Sequence, residues 1–166
     1  MTRAWAVLCA FALAGCLPFF NTDSLPQNAT GTEFDAGGIQ PAGTNLRIDF
    51  GRAQDGVVDT ASQLFGAVPD RITEQSECGA GVVTAASWPG VTLNFLDGDF
   101  RGWVLAAPGL SAEGLTVGTP RAAINGVTFR ETTLGTEFGR NGVFGLILPG
   151  EDDVSLLWSG VSCFFR

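Results

Sequence analysis

The sequence predicts an α+β fold: two tandem modules, each a helical segment packed on a small antiparallel sheet, together forming one compact domain. Three observations predict it. Gly51 to Gly66 and Gly118 to Gly135 frame two helical segments of similar length. Each frame is followed by three stretches that read as strands. The chain has 166 residues, enough for one domain or two halves sharing a core.

The elements follow in chain order. Met1-Thr2-Arg3 is a short positive lead, and Ala4 to Leu13 is apolar and uncharged. At about ten residues this run is too short to span a bilayer, which needs about 20, but it fits the apolar region of a secretory signal. Leu13-Ala14-Gly15-Cys16 comes next. These four residues resemble the lipobox of bacterial lipoproteins, in which the signal is cleaved before the Cys and the Cys is acylated. The resemblance implies that residues 1–15 are lost and that Cys16 carries lipid. An ordinary secretory signal and a buried N-terminal helix are the competing readings. Each buried CH₂ is worth ~0.8 kcal/mol, so one acyl chain holds marginally and two or three hold firmly. The residue after Cys16 is Leu17, not Asp. Resemblance to lipoprotein sorting then implies the periplasmic leaflet of the outer membrane, or the outer face of the plasma membrane in a one-membrane host.

Residues 16–45 read as lipid anchor and flexible tether. Pro18, Pro26 and Pro41 are scattered among polar residues and glycines, without periodicity. Phe19-Phe20 suit either the lipid surface or the domain. The folded α+β domain is expected over 46–166, with repeats at 46–110 and 111–166. Leu46, Ile48 and Phe50 alternate with charges as a lead-in strand. Val57, Val58, Ala61, Leu64 and Phe65 recur at helical spacing, with Gly66 and Pro69 as stops. Gly81 to Trp88 is apolar and β-branched, and Val91, Leu93 and Phe95 alternate with polar residues. Asp97-Gly98 is a strong hairpin signal, with Phe100 to Ala106 as the returning strand. Thr119-Pro120 reads as the start of a second helix over about 120–125, continuing irregularly to 134. Val143 to Leu148, Val154 to Trp158 and Val161 to Phe165 are the last three strand candidates.

This order resembles the small module of the outer-membrane assembly lipoprotein BamE, and two such modules in tandem resemble the β-lactamase inhibitor protein family. Gly51, Val57 or Val58, Leu64, Gly66 and Pro69 carry the first copy. Gly118, Ile124 and Gly135 carry the second. The resemblance covers about 46–166 and implies a non-enzymatic, protein-binding module.

Composition narrows the chemistry. All nine basic residues are Arg, against seventeen acids, and there is no Lys, His or Tyr. A serine triad, a Cys-His pair, a His-ligated zinc and a Schiff-base lysine are therefore excluded. The net charge of −8 argues against nucleic acid as a partner. Losing residues 1–15 removes Arg3 and leaves eight Arg against seventeen acids, a side-chain charge of −9. Cys9 leaves with the signal and Cys16 is the anchor, so Cys78 and Cys163 remain as a pair for an oxidising compartment. A bridge between them would staple the two halves; two buried thiols are the alternative.

Asp97 with Asp99, Glu131 with Glu137, and Glu151 to Asp153 are the carboxylate groupings a hydrolase would need. Solvated turns and loops explain them equally well, and none has EF-hand spacing. No metal site or cofactor is expected. Trp88, before Pro89-Gly90, is the tryptophan expected on an exposed binding face. The expected function is that of a lipid-anchored envelope protein, with the membrane reached through Cys16 and an envelope protein as partner. A carrier of a lipid or other apolar ligand is the alternative, and a carboxylate-based envelope hydrolase the distant one.

Overall fold

The structure, a computed structural model, describes residues 29–164. Cys9, Cys16 and Phe19-Phe20 lie outside the described residues, as do Phe165 and Arg166. The expected pair of helix-plus-sheet modules is not what the chain forms. Strands dominate, organised in a four-stranded and an eight-stranded sheet with one α-helix among the described residues.

The small sheet comprises β1 (Glu33–Asp35), β2 (Gly38–Gln40), β3 (Ile48–Asp49) and β8 (Ser111–Ala112). Their order is β3-β2-β1-β8, with β1 and β8 parallel. Two of these strands fall inside the stretch 16–45 read from sequence as tether. The folded part therefore reaches back at least to Ala29, which is fully buried. Phe34 and Ile39 face each other across the β1–β2 hairpin and enter the core, which is what orders this otherwise polar segment.

The large sheet takes β4 (Arg71–Gln75), β5 (Val83–Trp88), β6 (Val91–Leu96), β7 (Asp99–Leu105), β9 (Arg130–Thr132), β10 (Gly135–Arg140), β11 (Val143–Ile147) and β12 (Leu156–Gly160). The order is β4-β5-β6-β7-β12-β11-β10-β9. It divides into two antiparallel meanders, β4–β7 and β9–β12, that join through their last strands. Asp97-Gly98 and Asn141-Gly142 turn two of the hairpins, both residues of each pair having positive φ, as a type I′ turn requires.

Helix α1 (Gln54–Phe65) buries Val57, Ala61 and Phe65, one residue per turn on one face. No side chain caps its start, but Gln54 N–H donates to the Gly98 carbonyl. Gly66 ends it in the left-handed conformation. The second expected helix is absent: only Arg121–Ala123 form a 3₁₀ turn, and none of the three is buried. The physical reason is local. Asn125-Gly126 interrupts the segment, and the β-branched and aromatic residues that follow lead into β9 and β10. A three-residue turn with no apolar face has nothing to hold a longer helix against the sheet. Nor does the last stretch become a strand: residues 161–164 follow β12 without regular structure.

Helix α1 and the small sheet cover one side of the large sheet, called here its inner face. Trp88 meets Phe65 edge-on with ring centroids 5.3 Å apart. Trp103 meets Phe34 in the same way at 5.2 Å, and its Nε1–H donates to the Asp35 carbonyl at 2.8 Å. That bond satisfies the indole inside the core and ties the small sheet to the large one.

Candidate functional site

Strand register decides which side chains reach the opposite, outer face of the large sheet. Trp103 and Leu105 of β7 point inward, and opposing residues in an antiparallel pair share a face. Trp158 opposes Val104 on one side and Phe144 on the other, so all three stand on the outer face. Leu146 and Leu156 oppose each other in the next row of that face. Phe144 and Trp158 stack at 5.8 Å with their planes 25° apart, and Phe164 meets Trp158 edge-on at 5.0 Å. Phe144 is 45% exposed, and Leu148, just past the end of β11, is 39% exposed. Trp158, against Phe144 and Phe164, is 5% exposed. The result is a run of three aromatic rings with the Phe144 edge in water.

A second row crosses the same face. Ala85, Asn94, Gly102 and Gly160 oppose one another in turn across β5, β6, β7 and β12. After Gly160 the chain folds back over this row. Val161 N–H donates to the Arg101 carbonyl at 2.8 Å, and Asn94 Nδ2 donates to the Val161 carbonyl at 2.8 Å. A side chain on Gly102 would collide with the backbone of Val161. Cys163 then bonds to Cys78, with Cα atoms 5.2 Å apart. The bond links the β4–β5 connection to the segment after β12, so it crosses between the two meanders.

Trp88, expected on an exposed face, is 5% exposed on the inner side, its Nε1–H bonded to the Ala67 carbonyl at 2.8 Å. The apolar face lies on the other meander. Sequence reasoning missed Phe144 and Trp158 as a pair. No local turn signal marks that pair, because β11 and β12 are joined by the 148–155 connection and their register is set by the fold.

The carboxylate groupings are not brought into facing pairs. Asp97 occupies the β6–β7 turn, and Asp99 pairs with Arg101 at 2.7 Å. Glu131 opposes Thr136 while Glu137 opposes Arg130, which puts the two acids on opposite faces of one hairpin. Glu131 accepts a hydrogen bond from Thr136 Oγ1 at 2.9 Å, and Glu137 accepts one from Thr132 Oγ1 at 3.2 Å. Glu151 accepts from Ser155 Oγ at 2.6 Å in an exposed loop with Asp152 and Asp153. Among the described residues, no group of three or more Cys, Asp or Glu is placed to hold a metal ion.

Asp35 is the acid whose environment matters most. Both its oxygens take Arg47 nitrogens at 2.9 Å, and Oδ1 also takes the Gly37 N–H at 2.8 Å. Burial alone pushes its pKa up. The Arg47 hydrogen bonds, the Gly37 N–H and the Arg47 charge outweigh that and hold the carboxyl below its ordinary value. Hydrogen bonds to Asp35 and then Asp49 hold the Arg47 guanidinium above its own. This pair braces the small sheet.

Open depressions lie elsewhere on the surface. One of about 370 Å³ is lined by Ile48, Arg52 and Thr60 among others, and one of about 590 Å³ by Arg121, Phe129 and Asp152 among others. Arg121 sits over the Phe129 ring at 4.5 Å. The aromatics a carrier would need around its ligand are used in packing: Phe34, Phe65, Phe95, Phe100 and Trp103 are fully buried in one core.

No known protein family and no curated protein matches the chain. Among solved structures it is similar to the uncharacterized protein yfeY from Escherichia coli. The identity is 16%, covering 78% of this chain and 99% of that one, with a TM-score of 0.46.

Proposed function

We propose that this is a lipid-anchored envelope protein whose folded domain binds another protein, without catalysis, through the outer face of its large sheet. The observation that carries the reading is exposed Phe144 stacked on Trp158, with Phe164 edge-on to the same indole. Isolated surface hydrophobics are ordinary; grouped apolar side chains on a rigid sheet, with an indole beneath, have the composition of an interface centre. Support for the anchor is the Leu13-Ala14-Gly15-Cys16 run, with membrane attachment through Cys16 on the periplasmic leaflet of the outer membrane. No helix among the described residues is long and apolar enough to cross a membrane. Anchoring confines the domain to a surface and raises its effective concentration near partners there.

Two variants test the two halves of the reading. Cys16→Ala is expected to move the protein from the membrane fraction to the soluble one; unchanged fractionation contradicts the anchor. Of Phe144→Asp with Leu148→Asp, the Leu148 change should stay within about 0.5 kcal/mol, and losing the Phe144 stack on Trp158 should cost about 1–2 kcal/mol, so urea unfolding must first show the double variant folded. In intact cells, this double variant is expected to lose the chemically crosslinked adduct given by the wild type. An undiminished adduct contradicts the face.

A further inference from the structure

The four residues after β12 form a strap. Val161 to Phe164 leave the sheet at Gly160, recross β7 above Gly102 and accept the buried Asn94 carboxamide. They end with Phe164 against Trp158. The described noncovalent ties of this strap are few: two hydrogen bonds through Val161 and one ring contact. A segment held by so few ties opens readily. One covalent bond, from Cys163 to Cys78, holds it down. The rest of the core does not depend on the strap, because α1 and the small sheet pack on the other side.

We propose that the Cys78–Cys163 bond is a redox-operated latch on this strap, and that reducing it frees the outer face without unfolding the domain. The reductant is a dithiol. Its thiolate attacks Sγ of Cys163, which is only partly buried, whereas Cys78 is 9% exposed. The S–S bond breaks, and Cys78 leaves as a thiolate and takes up a proton. The second thiol of the reductant then displaces Cys163 as a thiol. Two electrons pass to the protein, and the reductant ends as a disulfide. Once loose, Phe164 leaves Trp158, and the apolar face widens from Phe144 and Leu148 to the indole and the Gly102–Asn94 row. That last consequence rests on the binding reading above; the latch itself does not.

Hydrogen exchange by mass spectrometry tests the latch on three samples: oxidised protein, protein with excess dithiothreitol, and the Cys163→Ser variant. In the second and third, the Val161 amide and its neighbours to Phe164 are expected to exchange about tenfold faster or more. Amides of α1 and β7 should keep their protection. Unchanged exchange at 161–164 overturns the latch. So does loss of protection that spreads through α1 and β7, since the bond would then hold the whole fold. Crosslinking at Phe144 separates the two claims. A partner adduct that increases on reduction supports gating. An adduct equal in both redox states overturns gating and leaves binding intact. No adduct in either state removes the binding reading, while the exchange result still decides the latch.

Discussion

Replacing Asp35 by Asn removes one charge at the point where the small sheet is braced. The variant keeps the shape, and its amide oxygen still accepts from Gly37 N–H. It loses the bidentate pair with Arg47, because the amide NH₂ now faces guanidinium donors. Arg47 and Asp35 are 33% and 28% exposed, so water screens the attraction and the pair is worth only about 1 kcal/mol. One lost hydrogen bond adds about 1 kcal/mol. Urea unfolding at pH 7 should therefore place Asp35→Asn about 1–2 kcal/mol below the wild type. The pH dependence carries the sharper test. The folded pKa of Asp35 lies below its ordinary value near 3.8. Its contribution is then fully present above that value and is lost as pH falls through the lower, folded one. The wild type should converge on the variant as pH drops below about 4, while groups common to both chains cancel. A gap that stays constant from pH 7 to about pH 2.5, or no gap at pH 7, refutes this account of the pair.

Two other substitutions probe the core and the strap. Trp103→Phe deletes the indole N–H that meets the Asp35 carbonyl inside a fully buried site. The orphaned carbonyl costs about 1–3 kcal/mol and the space left about 1 more, so calorimetry should show a loss of about 2–4 kcal/mol; a change under about 0.5 would contradict the packing. Gly102→Ala puts a methyl group where the Val161 backbone lies. It should cost about 1–3 kcal/mol in urea unfolding and speed exchange at the Val161 amide, and a silent substitution there would mean the strap does not rest on β7.

The parts of the fold legible in the sequence were those whose signals are local. Val57, Ala61 and Phe65 with Gly66 mark the helix, and Asp97-Gly98 marks its hairpin, because spacing and backbone chemistry act within a few residues. The pairing of Cys78 with Cys163 followed from counting, and the disulfide forms. The small sheet was hidden because Phe34 and Ile39 are lone apolar residues among polar ones and glycines, and although they oppose each other, β8 and Trp103, on which Phe34 packs, are distant in sequence. The second helix failed because Pro120 marks only a start, while Asn125-Gly126 and the pairing of β9 with β10 decide the rest. The choice between Trp88 and Trp158 was not legible either. Alternation places each tryptophan on one side of its own strand, but only tertiary packing says which side α1 and the small sheet will cover.

The outer face of the large sheet is the surface proposed to meet the partner. Site-specific photo-crosslinking in intact cells tests it most directly, with the reactive side chain introduced at Phe144 on that face or at Thr60 on the exposed side of α1. Position 144 is expected to give a discrete protein adduct, abolished by Leu148→Asp, and position 60 none. Adducts from position 60 alone, or equal adducts from both, would contradict it.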